Sequence, residues 1–150
     1  MIGELTTGLM HRFKVTAYNI NGEGPASDEM TTYACQAPSQ MSAPVRTAST
    51  ATTLTLQWQH PSDNGGCLIT SYAVFRNDGS ASSINIEANG DNDTNVRNRP
   101  TLDKLTITNF PVSTSTGLTF SFKVIAYNAV QSTDSDSVSY ILASVPKAPT

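Results

Sequence analysis

Charge is in short supply in this 150-residue chain: Asp, Glu, Lys and Arg make up 14% of it, where an average soluble domain carries roughly 25%. Hydration of its surface falls to Ser, Thr and Asn. The nine basic residues run from Arg12 to Lys147 without clustering and the net charge is -3. A phosphate backbone needs a basic patch, so nucleic acid is not an expected partner. No run approaches the ~18 apolar residues of a membrane span, so no membrane insertion is expected. The opening MIGELTTGLMHRFKV lacks the basic start and apolar centre of a secretion leader. Histidine is limited to His11 and His60, and neither has Cys or carboxylate neighbours at metal-binding spacing. Serine is plentiful, but no G-x-S-x-G elbow or strand-turn-helix context would make one a nucleophile. The glycines of DNGG and NGEG precede no helix with a Lys-Ser/Thr pair, so they are not read as a phosphate loop. These absences point away from an enzyme and leave no expected metal or cofactor.

What is present is a repeat. Residues Gly117–Asn128 read GLTFSFKVIAYN, and Gly8–Asn19 read GLMHRFKVTAYN at a constant offset of 109 residues, the length of a domain. In the later copy Leu118, Phe120, Phe122, Val124 and Ala126 alternate with Thr119, Ser121, Lys123 and Ile125, the period-2 pattern of a strand with one buried face. A repeat so spaced implies a fragment of a longer chain. The 38% hydrophobic content allows a packed core, and 150 residues exceed what one ordinary domain needs.

In chain order, Arg12–Asn19 is read as a strand with Phe13, Val15 and Ala17 on its apolar face. NGEGPAS, Asn21–Ser27, is a hairpin connection, and Glu29–Cys35 a return strand. Pro38 and Pro44 stiffen the junction Gln36–Pro44. Thr53–Gln59 then alternates Leu54, Leu56 and Trp58 inward, PSDNGG breaks the chain at Pro61–Gly66, and Leu68–Asn77 supplies Ile69, Tyr72 and Val74. Ile84–Ala88 is a short strand, Gly90–Pro100 a polar loop, and Leu105 and Ile107 belong to a further strand. Phe110 plugs the corner before the repeated motif, whose Phe122 and Val124 point inward. Ser137–Ala143 is the last strand. No segment has a helical period, so the chain is read as all-β.

Three features admit both a functional and a plain reading. NGDNDTN offers hard oxygens at Asp91 and Asp93 but lacks the bidentate Glu of a calcium loop, which favours a solvated loop. The sequon Asn92-Asp93-Thr94 makes Asn92 a glycosylation candidate in a secreted chain. Tyr18 and Tyr127 end the two motif copies and suit cross-strand packing better than ligand contact. Met10, Met30 and Met41 read as gap fillers.

A lone tryptophan in LTLQW, then PSDNGG, then ITSYAV, then F-K-V-x-A-Y-N with a last strand and a proline junction together resemble a fibronectin type III domain. The resemblance implies an immunoglobulin-like seven-stranded β-sandwich, strands A, B and E in one sheet and C, C′, F and G in the other, with Trp58 between them. Residues 1–37 would be strands F and G of a preceding domain, 38–147 a complete domain, and 148–150 the start of the next linker. The family usually has a tyrosine at the corner leading into strand F. Phe120 stands there, and His11 in the first copy, so packing by Phe110 and Leu118 is expected to substitute. No Arg-Gly-Asp occurs, so integrin binding is not implied.

The same resemblance implies a non-catalytic structural or adhesive repeat, a spacer and protein-protein interaction surface in an extracellular or cell-surface assembly. Its partners would be neighbouring repeats of the same chain and other chains of a filament. Two alternatives stand beside it: a ligand-binding module using the Pro61–Gly66 and Asn128–Asp136 loops, and an intracellular cytoskeletal or ciliary scaffold repeat. The fold also implies that Cys35 and Cys67 meet at the junction as a disulfide, against the alternative of two independent thiols. Ser144 matches Cys35 in the second copy, so the next junction would lack that bond.

Overall fold

Twelve strands and no helix form among the residues that the computed structural model describes, 3–81, 83–90, 94, 96–111 and 116–143. In chain order they are β1 (Met10–Phe13), β2 (Thr16–Asn19), β3 (Gly22–Ala26), β4 (Met30–Tyr33), β5 (Val45–Ser49), β6 (Leu54–Gln57), β7 (Ser71–Arg76), β8 (Ile86–Glu87), β9 (Lys104–Ile107), β10 (Thr119–Tyr127), β11 (Ser132–Asp134) and β12 (Val138–Ile141).

The second copy of the repeat becomes β10, nine residues whose Phe120, Phe122, Val124 and Ala126 are buried while their neighbours are not. It is the centre of the larger sheet. On one side it pairs with β7, from Phe122↔Arg76 to Tyr127↔Ser71; on the other it pairs with both β11 and β12. β8 completes the sheet beyond β7. β5, β6 and β9 form the opposing antiparallel sheet. The whole is a β-sandwich in the A-B-E and C-C′-F-G arrangement, with strand G in two pieces. Trp58, Leu54, Leu56, Tyr72, Val74, Ile107, Phe110, Phe122 and Val124 fill the space between the sheets.

The break in strand G has a side-chain cause. Ser135 is buried between β11 and β12. Its backbone N–H donates to the Val124 carbonyl at 2.7 Å, and its hydroxyl accepts the Val124 N–H at 3.0 Å. The hydroxyl thus takes the place of a backbone carbonyl in the ladder, and the Asp136 N–H turns away to Met41 O at 3.0 Å. The first copy does the same: Ser27 N–H donates to Val15 O at 2.8 Å and Ser27 Oγ accepts the Val15 N–H at 3.0 Å. In both copies the serine hydroxyl donates to the carbonyl of the following aspartate, Asp28 or Asp136.

This kink corrects the reading of the N-terminal segment. The run Arg12–Asn19 is two strands, β1 and β2, interrupted at Val15. NGEGPAS is not all connection: Gly22–Ala26 is β3, and the turn is only Ile20 and Asn21. β2 pairs with β3 and β1 with β4, giving nested two-stranded ladders. Phe13 is half-buried, but Val15 is 72% exposed and Ala17 is exposed, so the expected apolar face has no cover among the described residues. Met10 and Met30 are exposed as well, and only Met41 fills a gap in the core.

The corner before β10 also differs in part. Phe110 packs edge-on against Phe120 at 4.8 Å and Phe122 at 6.4 Å, but Leu118 stays 39% exposed. The remaining cover comes from Arg76, whose buried guanidinium lies 5.4 Å from the Phe110 ring and donates to the carbonyls of Asn77 and Asn109 at 2.9 and 2.7 Å. Burial lowers its pKa from the ordinary arginine value, opposed by the nearby Asp78. Trp58→Ala removes the largest of these core side chains. It should lower stability by about 3–5 kcal/mol, read as a shift of the denaturant midpoint at unchanged slope; an unmoved midpoint would contradict the burial of Trp58 between the sheets.

Candidate functional site at the junction

Of the residues singled out in the sequence, Cys35, Cys67 and the Pro61–Gly66 and Asn128–Asp136 loops converge where the N-terminal hairpins meet the sandwich. Cys35, just after β4, is joined to Cys67 at the end of the DNGGC loop, across 5.7 Å between Cα atoms. Gln36 N–H donates to Gly65 O at 2.9 Å, and Ser39 and Asp63 exchange bonds through Ser39 N–H to Asp63 O and Asp63 N–H to Ser39 Oγ, at 2.8 and 3.0 Å. The loop between β6 and β7 therefore pairs with the incoming chain almost as a strand would.

Glycine is required here by close approach. Gly65 and Gly66 both have positive φ, and a Cβ on Gly65 would collide with the Gln36 carbonyl, one on Gly66 with the Thr7 side chain. A Cβ on Gly8 would lie 2.7 Å from Gly66 O. Any larger residue would push the two parts of the chain apart.

Asn128, the last residue of the repeated motif, ties the turn after β10 into the same place. Its Oδ1 accepts the N–H groups of Val130 and Gln131, shaping the turn, while its Nδ2 donates to Gln36 O at 2.7 Å and Asn64 O at 3.0 Å. One side chain thus joins three segments. Asn19 keeps only the turn-forming half of this role, accepting the Asn21 N–H at 2.8 Å. Farther along, Thr133 donates to Pro38 O and Gln40 to Asp136 Oδ1, both at 2.7 Å.

Apolar packing contributes little to this contact. A groove of about 300 Å³ lies beside the disulfide, bordered by Tyr33, Leu68 and Ala129, and Leu68 is largely exposed. The orientation rests on backbone hydrogen bonds, a few polar side chains with Asn128 at their centre, and one covalent bond.

Below the loop, His60 Nδ1 is hydrogen-bonded to the Tyr72 hydroxyl, and the Tyr72 ring lies 5.7 Å from Trp58. Burial pushes the Tyr72 phenol up to about 12. The loop read as polar, 90–100, is not simply solvated: Val96 enters the core, and Arg97 makes a two-pronged ion pair with Glu87 at 2.9 and 3.1 Å while its guanidinium sits 5.1 Å from the Tyr127 ring. The hydrogen bond to Glu87 raises the Arg97 pKa, burial opposing it. Tyr127 thus stacks under a cation, whereas Tyr18 is exposed. His11 faces the Thr6 carbonyl at 3.1 Å. Asp134, inside the loop expected to offer a recognition edge, belongs to β11 and pairs with Lys123 at 2.6 Å. Asp91, Asn92, Asp93, Ser144 and the junction from Val145 onward lie outside the described residues.

No protein-family model matches the sequence. Among solved structures, a run of titin domains superposes with a TM-score of 0.59 at 20% identity over 88% of this chain and 40% of that one. The FN1–FN3 domains of chicken CNTN1 do so with 0.54 at 16% identity over 93% of this chain and 44% of that one. This chain has the fibronectin type III fold. The kinase region of C. elegans twitchin, in a structure that includes Fn31 and Ig26, matches with 0.59 at 16% identity over 76% of this chain. The chain spans 18–44% of the length of these three solved chains.

In this fibronectin type III sandwich the buried phenol gives a pH signature. The folded state holds the Tyr72 proton up to about 12, while the unfolded chain releases it near 10. Stability from this group is therefore complete below pH 10 and is lost as the pH rises toward 12. Tyr72→Phe should be less stable than the parent below pH 10, having lost the bond to His60, and the gap should narrow between pH 10 and 12. Denaturant unfolding of both proteins across that window checks it; a gap that widens would be incompatible with a neutral buried phenol.

Proposed function

We propose that this chain is a non-catalytic repeat module of a larger tandem fibronectin type III protein, with residues 1–37 the end of one repeat, 38–147 a complete one and 148–150 the start of the next linker. It acts as a spacer and protein-protein interaction surface in an extracellular or cell-surface assembly. The observation that carries this reading is the Cys35–Cys67 bond at a junction otherwise held by hydrogen bonds. A bond placed there fixes the angle between successive repeats and makes no catalytic arrangement. Disulfides persist in oxidising compartments, which supports the extracellular setting. In that setting Asn92 would carry a glycan.

The ligand-binding alternative is disfavoured because its two loops are occupied. Asp63 and Gly65 are bonded to the incoming chain, as are Asn128, Thr133 and Asp136, and Asn64 is bonded to Asn128. The primary partners are then neighbouring repeats of the same chain, with other chains of an assembly reached through the remaining surface. No helix among the described residues is long and apolar enough to cross a membrane.

Non-reducing peptide mapping of native protein should recover the Cys35 and Cys67 peptides linked. Recovery of both as free, alkylatable thiols would favour the intracellular scaffold reading instead. The double substitution Cys35→Ser, Cys67→Ser should lower stability by about 3–4 kcal/mol through loop-closure entropy and broaden the spread of hairpin-to-sandwich orientations seen in small-angle scattering.

A further inference from the structure

We infer that the Cys35–Cys67 bond reroutes mechanical tension, carrying it past strands β5 and β6 directly onto β7. The inference rests on reading the junction as a stapled spacer and concerns what the staple does under load. The two cysteines are 32 residues apart in sequence, and everything between them, including β5, β6 and the Pro61–Gly66 loop, lies inside the covalent loop. When the chain is pulled from its two ends, force passing through Cys35 crosses to Cys67 and enters β7 at Ser71. The segment 36–66 bears none of it.

The change matters because the two routes load ladders of different quality. Without the bond, tension enters β5 at Val45. β5 is held only by β6 on its sheet, through four residue pairs interrupted by a register shift between Arg46 and Ala48. Side-chain bonds from Arg46 to Ile141 O, Ser49 to Ala143 O and Tyr140 to Pro44 O add to that grip. With the bond, tension enters β7, which is held by six uninterrupted pairs to β10.

The direction of pull is shear. Ser71 pairs with Tyr127 at one end of β10, while Ile141, where the load leaves β12, pairs with Thr119 at the other end. All bonds of the β7–β10 ladder must then fail together. The strand most easily stripped, β5, is taken out of the load path and remains folded under its partners.

Single-molecule pulling on residues 1–150, with handles at both ends, tests this on the native protein and on the Cys35→Ser, Cys67→Ser variant. The N-terminal hairpins give way first in both and add the same length. The sandwich of the stapled chain should then rupture at higher force and extend by about 110 Å less than the variant, the span of the excluded segment at ~3.3–3.6 Å per residue. If the variant does not fold, native protein folded first and then reduced supplies the unstapled form. Equal rupture force with the bond verified by peptide mapping overturns the rerouting alone. Free thiols in the native protein overturn both the staple and the rerouting.

Discussion

A nine-residue strand with alternating burial leaves no freedom of register. Sliding β10 by one position would place Thr119, Ser121, Lys123 and Ile125 in the core and expose Phe120, Phe122, Val124 and Ala126. Because β7, β11 and β12 all take their hydrogen bonds from β10, its register is passed to the whole larger sheet. The opposing sheet is then fixed by Leu54, Leu56 and Ile107, which meet the buried face of β10 across the core. Trp58 and Tyr72 close the same core toward the junction, so the pole that carries the staple is also the one with the largest buried side chains.

Strands are legible where one buried face writes itself into the sequence as period 2, as in β10. β6 and β7 are buried more fully, with Leu54, Thr55 and Leu56 buried in succession in one and Tyr72, Ala73 and Val74 in the other. Strand ends were less legible: Leu68 was read into β7, yet the strand begins at Ser71 and Leu68 faces solvent. The kink at Ser135 and its counterpart at Ser27 has no hydrophobic signature, since a hydroxyl replaces a carbonyl while the alternation of the partner strand continues. A Ser-Asp pair in both copies was the only trace. Its offset of 108 instead of 109 reflects the register shift in the β2–β3 ladder: three steps of β3, from Glu23 to Ala26, face two of β2, whereas β11 takes two steps, from Ser132 to Asp134, against two of β10.

At the candidate site, the meeting of Cys35 with Cys67 could be expected from the fold, but the role of Asn128 could not. The A-Y-N motif shows a repeated asparagine, and its turn-capping half is the same at Asn19; the donation to Gln36 and Asn64 exists only where a preceding segment is docked. Arg97 was hidden for a different reason. A run of Asn, Asp and Arg reads as solvated, and only the three-dimensional neighbourhood of Glu87 and Tyr127 makes a fixed contact of it.

β8 is two residues long and forms one outer edge of the larger sheet. A chain that repeats its own strand sequences holds similar partners at high local concentration, the condition under which sheets join edge to edge and neighbouring units misfold into one another. Two residues offer too few unpaired N–H and C=O groups to template such a union. The Arg97–Glu87 ion pair sits beside that same edge. A border this brief limits edge-to-edge joining between segments of related sequence.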